Sequence, residues 1–259
     1  VTPTALDSAF AQWTATALLH DPRADGRGVT IVMADTGIDR DVIRGRHPDH
    51  RPFRSFRYAP GTIAESADPP SGPHGTTVAD ILLTIAPQAT LLSVDLFGTG
   101  VTETEAVAAA IDFARSLPMP VVVNLSLGVL ERNLTPSKRQ LLSRAVEAAY
   151  FAGITIVAAA NNDHPHAISY PAAFAPPLLS VDKSLFTDPL DVRFVPRSGV
   201  EFVAHSRGYL GPFVREPATS WAVPHVAGVA ARLLSLKPDL RPFEIKAILH
   251  RMTTAPSAA

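Results

Sequence analysis

Hydrophobic positions along the chain alternate between two periods. The short, β-branched runs Val29 to Ala34, Thr90 to Phe97, Val121 to Leu127 and Ile154 to Ala159 are apolar at nearly every position. That is the pattern of strands covered on both faces. Pro177 to Val181 is a weaker run of the same kind. Between them, Glu103 to Leu117, Ser137 to Ala152, Ser220 to Leu236 and Phe243 to Met252 carry apolar residues at helical spacing. Leu6 to Leu19 predicts a further helix near the N-terminus. Strand, helix, strand in repetition predicts an α/β fold, a parallel β-sheet core with helices on both faces. No internal repeat or low-complexity linker interrupts the pattern, so residues 1–259 read as a single domain. Prolines gather in the connections, and the stretch from Asp41 to Ser71 reads as one long loop leading into His74.

Composition narrows the function classes. With 46% hydrophobic residues in 259, the chain can bury a large core. A net charge of −1 gives no electrostatic reason to expect nucleic acid or an anionic membrane as partner. No apolar run approaches the roughly 20 residues of a membrane-spanning helix. Cysteine is absent, which excludes disulfides and thiolate chemistry and leaves the compartment open.

Three strings carry candidate chemistry: VMADTGID (32–39), GPHGTTVAD (72–80) and EPATSWAVPHVAG (216–228). The first ends an apolar run with Asp35, the second sets His74 at the start of a helical pattern, and the third sets Ser220 before a run of small residues. A carboxylate, an imidazole and a hydroxyl are the parts that make an alcohol nucleophilic at neutral pH. Each has a plainer reading: Asp35 as a turn residue, His74 as an exposed helix-end histidine, and Ser220 or Thr219 as an N-cap. Pro224 is expected in the first turn, which would put Ser220 at the helix N-terminus, near free N–H groups. His225 shares that helix but lies about 140° around it from Ser220, so it is assigned to packing or a polar contact beneath the helix. His47, Asp49 and His50 sit close together, but the pattern is too loose to indicate zinc.

In this order, acid then base then nucleophile, the strings resemble those of the subtilisin-like serine proteases (peptidase S8 family, subtilases), from about Val29 to the C-terminus. The resemblance implies a serine endopeptidase with Asp35, His74 and Ser220 as its triad, working through an acyl-enzyme. It implies Asn162 as the oxyanion-hole donor, at the end of the run Val157 to Ala160, although the adjacent Asn161 leaves the register open. An extended peptide would dock as a strand between Gly98-Thr99-Gly100-Val101 and Ser126-Leu127-Gly128. Asp163 would stand at the rim and favour a basic residue before the scissile bond, with His164 and His166 lining the specificity pocket. The Tyr170–Pro171 peptide would be cis.

The expected partner is therefore a peptide or protein substrate in extended conformation. A pro-segment or further domain outside this chain is also expected. Secretion is the localisation that the resemblance favours. No metal and no cofactor are expected, because the loop that many subtilisins insert to hold a tight calcium ion has no counterpart between His74 and the next strand. Three positions depart from the family's glycines: Asp80, Asn161 and Ala218. Asp80 is expected to face water. These departures leave one alternative, a catalytically impaired subtilase fold serving as a binding or scaffolding module. A lipase-type hydrolase is disfavoured, because there is no Gly-x-Ser-x-Gly elbow with the nucleophile preceding its acid and histidine.

Overall fold

A computed structural model describes residues 21–50, 53–98, 100, 103–197, 199–214 and 216–254. The helix expected over Leu6 to Leu19 lies outside these residues, as do Thr99 and Val101. The strands are β1 (Thr30–Asp35), β2 (Arg54–Ala59), β3 (Thr62–Glu65), β4 (Thr90–Asp95), β5 (Val121–Leu125), β6 (Val129–Leu130), β7 (Thr155–Ala159), β8 (Ser169–Tyr170), β9 (Leu179–Ser184), β10 (Val192–Arg197) and β11 (Val200–His205). The α-helices are α1 (Arg40–Arg46), α2 (His74–Ile85), α3 (Thr104–Arg115), α4 (Pro136–Phe151), α5 (Thr219–Leu236) and α6 (Pro242–Thr254).

Nine strands form one sheet in the order β10-β11-β9-β7-β5-β1-β4-β2-β3. All pairs within it are parallel except the outermost on each side, β10 with β11 and β2 with β3. The α/β expectation stands, with antiparallel edges added. Alternate side chains of β1 feed two cores. Ile31 and Met33 join α2, α5 and α6 on one face, while Val32 and Ala34 join α3 and α4 on the other. Burial on both faces is why these strands read as unbroken apolar runs.

The single long loop expected over Asp41 to Ser71 is not what forms. Asp39 caps α1, its carboxylate accepting from the N–H groups of Asp41 and Val42, and β2 and β3 then make an edge hairpin. The hairpin left no hydrophobic signature because only Phe56 of β2 is fully buried, and its charged residues face outward, as in the Arg54–Glu65 pair. β10 and β11 were also unread. Pro196 lies within β10, whose pairing with β11 shifts register between Phe194 and Arg197.

Asp80 corrects another expectation. It faces no water: it is 0% exposed and lies between Arg46 Nε at 3.0 Å, Arg46 Nη2 at 3.2 Å and His47 Nε2 at 2.8 Å. Ten of the twelve residues of α2 are buried, so the side of the helix turned from the sheet meets the end of α1. Burial works to raise the Asp80 pKa, but the hydrogen bonds from His47 and Arg46 and the charge of Arg46 prevail and hold it below the ordinary carboxylate range. A carboxyl group depressed in this way stabilises the fold fully above its unfolded pKa, and that contribution is lost as pH falls through the folded value.

Asp80→Asn should therefore lower stability at pH 7 by about 1–2 kcal/mol, less than a fully buried pair because Arg46 is half in water. Urea unfolding of both proteins should show this gap closing as pH falls below the ordinary carboxylate range. A gap that is the same at pH 3 and pH 7 would contradict the account.

Candidate active site

Sheet order brings the predicted residues to one edge. The adjacent strands β7, β5, β1 and β4 are parallel, and their carboxyl ends lead into Asn162, Ser126, Asp35 and Gly98 respectively. In open α/β sheets this is where ligands gather. Asp35 ends β1 and is 1% exposed. Its carboxylate accepts from His74 Nδ1, at 2.8 Å for Oδ1 and 3.0 Å for Oδ2, and from the Thr36 N–H at 2.7 Å.

His74 is the first residue of α2 and is pinned from its neighbours. The Gly75 N–H donates to Thr36 Oγ1, and Thr36 Oγ1–H donates to the Gly72 carbonyl, both at 2.9 Å. Gly75 is required because a Cβ there would run into the Gly37 carbonyl, and so α2 can approach β1 closely enough for the contact with Asp35. Burial works to lower the His74 pKa, but the charge and hydrogen bond of Asp35 outweigh it and leave the imidazole above its ordinary value.

Ser220 lies in the first turn of α5, where its N–H has no carbonyl of its own helix to meet. Pro224 stands in the second turn, one turn later than expected. Having no N–H, it leaves the Ser220 carbonyl without a helical donor, and Ser126 Oγ–H supplies one at 2.9 Å. In return Ser220 Oγ–H donates to the Ser126 carbonyl at 3.1 Å. Asn124 Nδ2 holds Ser126 Oγ from behind at 3.0 Å. No hydrogen bond joins Ser220 to His74 among the described residues. The two are neighbours nonetheless, since the ring of Trp221, next to Ser220, stacks on His74 with centroids 4.7 Å apart. The small residues that follow serve close packing, since a Cβ on Gly228 would lie 2.6 Å from Ile85 of α2.

The two asparagines separate by geometry. Asn161 Oδ1 accepts from the Asp163 N–H in a local turn. Asn162 Oδ1 accepts from the N–H and hydroxyl of Thr219 at 2.8 and 3.1 Å, which leaves its amide as a donor beside Ser220. Leu127 packs against the core, Gly128 backs onto Ser169, and Gly98 lies against the Arg57 side chain. Gly98, Gly100 and Asp163 are exposed. His166 is exposed too, while His164 turns its ring to Asp182 of β9 at 3.4 Å. His225 sits under α5 as expected: its Nδ1–H donates to the Trp221 carbonyl, and its Nε2 accepts from the Tyr209 hydroxyl at 2.7 Å. Burial pushes its pKa down to about 3, so it is neutral. His47 and His50 point to different partners, Asp80 and the Pro87 carbonyl. The Tyr170–Pro171 peptide is cis, as the resemblance implied.

Comparison with known proteins shows the family. The model of the Subtilase family (Peptidase S8) matches residues 26–183 and 200–258. The chain belongs to the subtilase family. M-protease of Shouchella clausii (strain KSM-K16) is 29% identical over 251 residues, which cover 91% of this chain and 61% of that protein. Subtilisin Savinase of Lederbergia lenta is 28% identical over 252 residues, 91% of this chain and 87% of Savinase. A solved cold-adapted subtilisin-like serine proteinase superposes with a TM-score of 0.62 at 27% identity, covering 86% of this chain and 81% of that one.

Within this subtilase, sequence reading weighed Thr219 only as an N-cap and not as the anchor of Asn162, and it passed over Asn124, which backs Ser126. It also passed over the stacking of Trp221. Asn124 carried a signal, a polar residue inside the apolar run VVVNL, and so did Trp221, a large aromatic residue in a run of small ones.

Ser126→Ala should orphan the Ser220 carbonyl and destabilise the protein by about 1–3 kcal/mol, the cost of a buried polar group left unpaired. Denaturant unfolding measures it. An unchanged midpoint would mean that the carbonyl does not depend on Ser126.

Proposed function

We propose that this subtilase is a serine endopeptidase whose triad is Asp35, His74 and Ser220. The observation that carries the reading is the Asp35 carboxylate on His74 Nδ1, which leaves Nε2 as the free base beside the Ser220 helix. In this reading Ser220 Oγ leaves the Ser126 carbonyl, on which it rests at 3.1 Å, for Nε2. The imidazole accepts the hydroxyl proton as Oγ attacks the peptide carbonyl, then returns it to the leaving amine. Asp35 fixes the tautomer and offsets the charge that forms on the ring. The Asn162 amide and the Ser220 N–H, at the positive end of α5, receive the oxyanion.

The segments after β4 and β5 flank Asp35 on either side and suit an extended peptide docked between them as a strand, Gly98 and Gly100 along one edge and Ser126, Leu127 and Gly128 along the other. Asp163 at the rim favours a basic side chain before the scissile bond. A pro-segment or other domain outside this chain, and an extracellular setting, go with this reading. The alternative, a scaffolding module on the same fold, draws support from one observation: Ser220 Oγ bonds to Ser126 and not to His74.

A fluorophosphonate probe separates the two. It should label the native protein and not Ser220→Ala, whereas the scaffolding reading requires that neither be labelled. Asn162→Leu should lose about 10²–10³ in kcat, a magnitude taken from subtilisin itself, with KM little changed. The pH profile of kcat/KM should rise through a His74 pKa above the ordinary histidine value, because the base works only when neutral. Asp35→Asn should lower kcat by about 10⁴ and move the residual acid limb to lower pH. An acid limb in the same place would remove Asp35 from its role.

A further inference from the structure

The geometry points to Trp221 as a positioning residue for His74, its indole face holding the imidazole on Asp35 and stabilising the imidazolium that forms during attack. The inference rests on the proposed role of His74 as base. The rings lie 4.7 Å apart between centroids with planes 33° from parallel, a tilted contact nearer to parallel than to edge-on. Trp221 is itself fixed. It is 3% exposed, its Nε1–H donates to the Glu216 carbonyl at 3.1 Å, and Phe213 packs on it at 4.9 Å while presenting an edge to His74 at 6.5 Å. A desolvated indole face is the strongest aromatic partner for a cation.

The need for such a partner follows from where His74 stands. As the first residue of α2 it sits at the positive end of a twelve-residue helix, which disfavours a positive ring. In the attack step the Ser220 O–H bond breaks, its proton binds Nε2, Oγ bonds to the carbonyl carbon, and the π electron pair moves to the carbonyl oxygen. The ring then carries a full positive charge. Asp35 on β1 is the charged group that faces it. From α5 and the turn before it come Ser220, Trp221 and Phe213, all uncharged. Asp80, farther along α2, is committed to Arg46 and His47. Asp39 caps α1. Asp35 therefore meets the edge of the imidazole and Trp221 meets its face.

The test is an NMR titration of His74 in the native protein, Trp221→Phe and Trp221→Leu, together with kcat and KM across pH on active-site-titrated enzyme. The midpoint for His74 should fall in Trp221→Leu and lie between in Trp221→Phe. The acid limb of kcat/KM should move to lower pH in step, and kcat of Trp221→Leu should drop about tenfold while KM stays within about twofold. A His74 midpoint that does not move, or a loss confined to KM, would overturn the inference and leave Trp221 as a wall of the cleft. If Trp221→Leu does not fold, the same titration of Trp221→Phe in a Ser220→Ala background decides. The titration needs no turnover, so a chain that hydrolyses nothing would refute the proposed function without obscuring this result.

Discussion

A carboxylate taken out of water at the end of β1 is the constraint around which this site is arranged. Asp35 is 1% exposed, and an isolated ionised carboxylate in such a place would be too costly to keep. Its oxygens are satisfied by the Thr36 N–H and by His74 Nδ1. That requirement propagates outward. Thr36 must hold Gly72 and Gly75, residue 75 must lack a side chain, and α2 must begin at His74. The same contact that relieves Asp35 fixes the imidazole tautomer, so the energetic demand of the fold and the orientation of the imidazole are one interaction.

The nucleophile side is governed by a missing donor. Pro224 withholds an N–H from the Ser220 carbonyl, and the vacancy is filled from another element by Ser126. A helix with a full set of internal bonds would have no such tie to β5. The exchange of hydrogen bonds between Ser126 and Ser220 therefore couples α5 to the segment flanking the cleft. It also gives Ser220 Oγ a resting acceptor.

The central sheet, its covering helices and the positions of Asp35, His74 and Ser220 were legible in the sequence because each rests on a local pattern. Buried parallel strands are apolar at every position, and the three motifs are short. Asp80 was not legible, because its surroundings come from Arg46 and His47, more than thirty residues earlier, in a stretch with no hydrophobic period. The hairpin of β2 and β3 escaped for a different reason: two strands that bury one side chain between them leave no alternation to read. The different surroundings of Asn161 and Asn162 rest on the Thr219 contacts, which connect residues 57 apart. For Asp80 and for the two asparagines the missing information was a long-range polar contact, which no periodicity encodes.

Asp80 and Trp221 act on one element, and their directions agree. Asp80 ties the middle of α2 to the end of α1, and Trp221 closes over the ring at its first residue. His74 stands on a helix whose dipole opposes its protonated form, so small rotations of α2 would trade the Asp35 contact against that repulsion. Anchoring the helix through a buried ion pair and covering the ring with a desolvated indole both restrict that rotation. Neither residue supplies a reacting atom. Both bear on the rigidity and charge of the same imidazole, and the effects of replacing them on His74 should be coupled rather than additive.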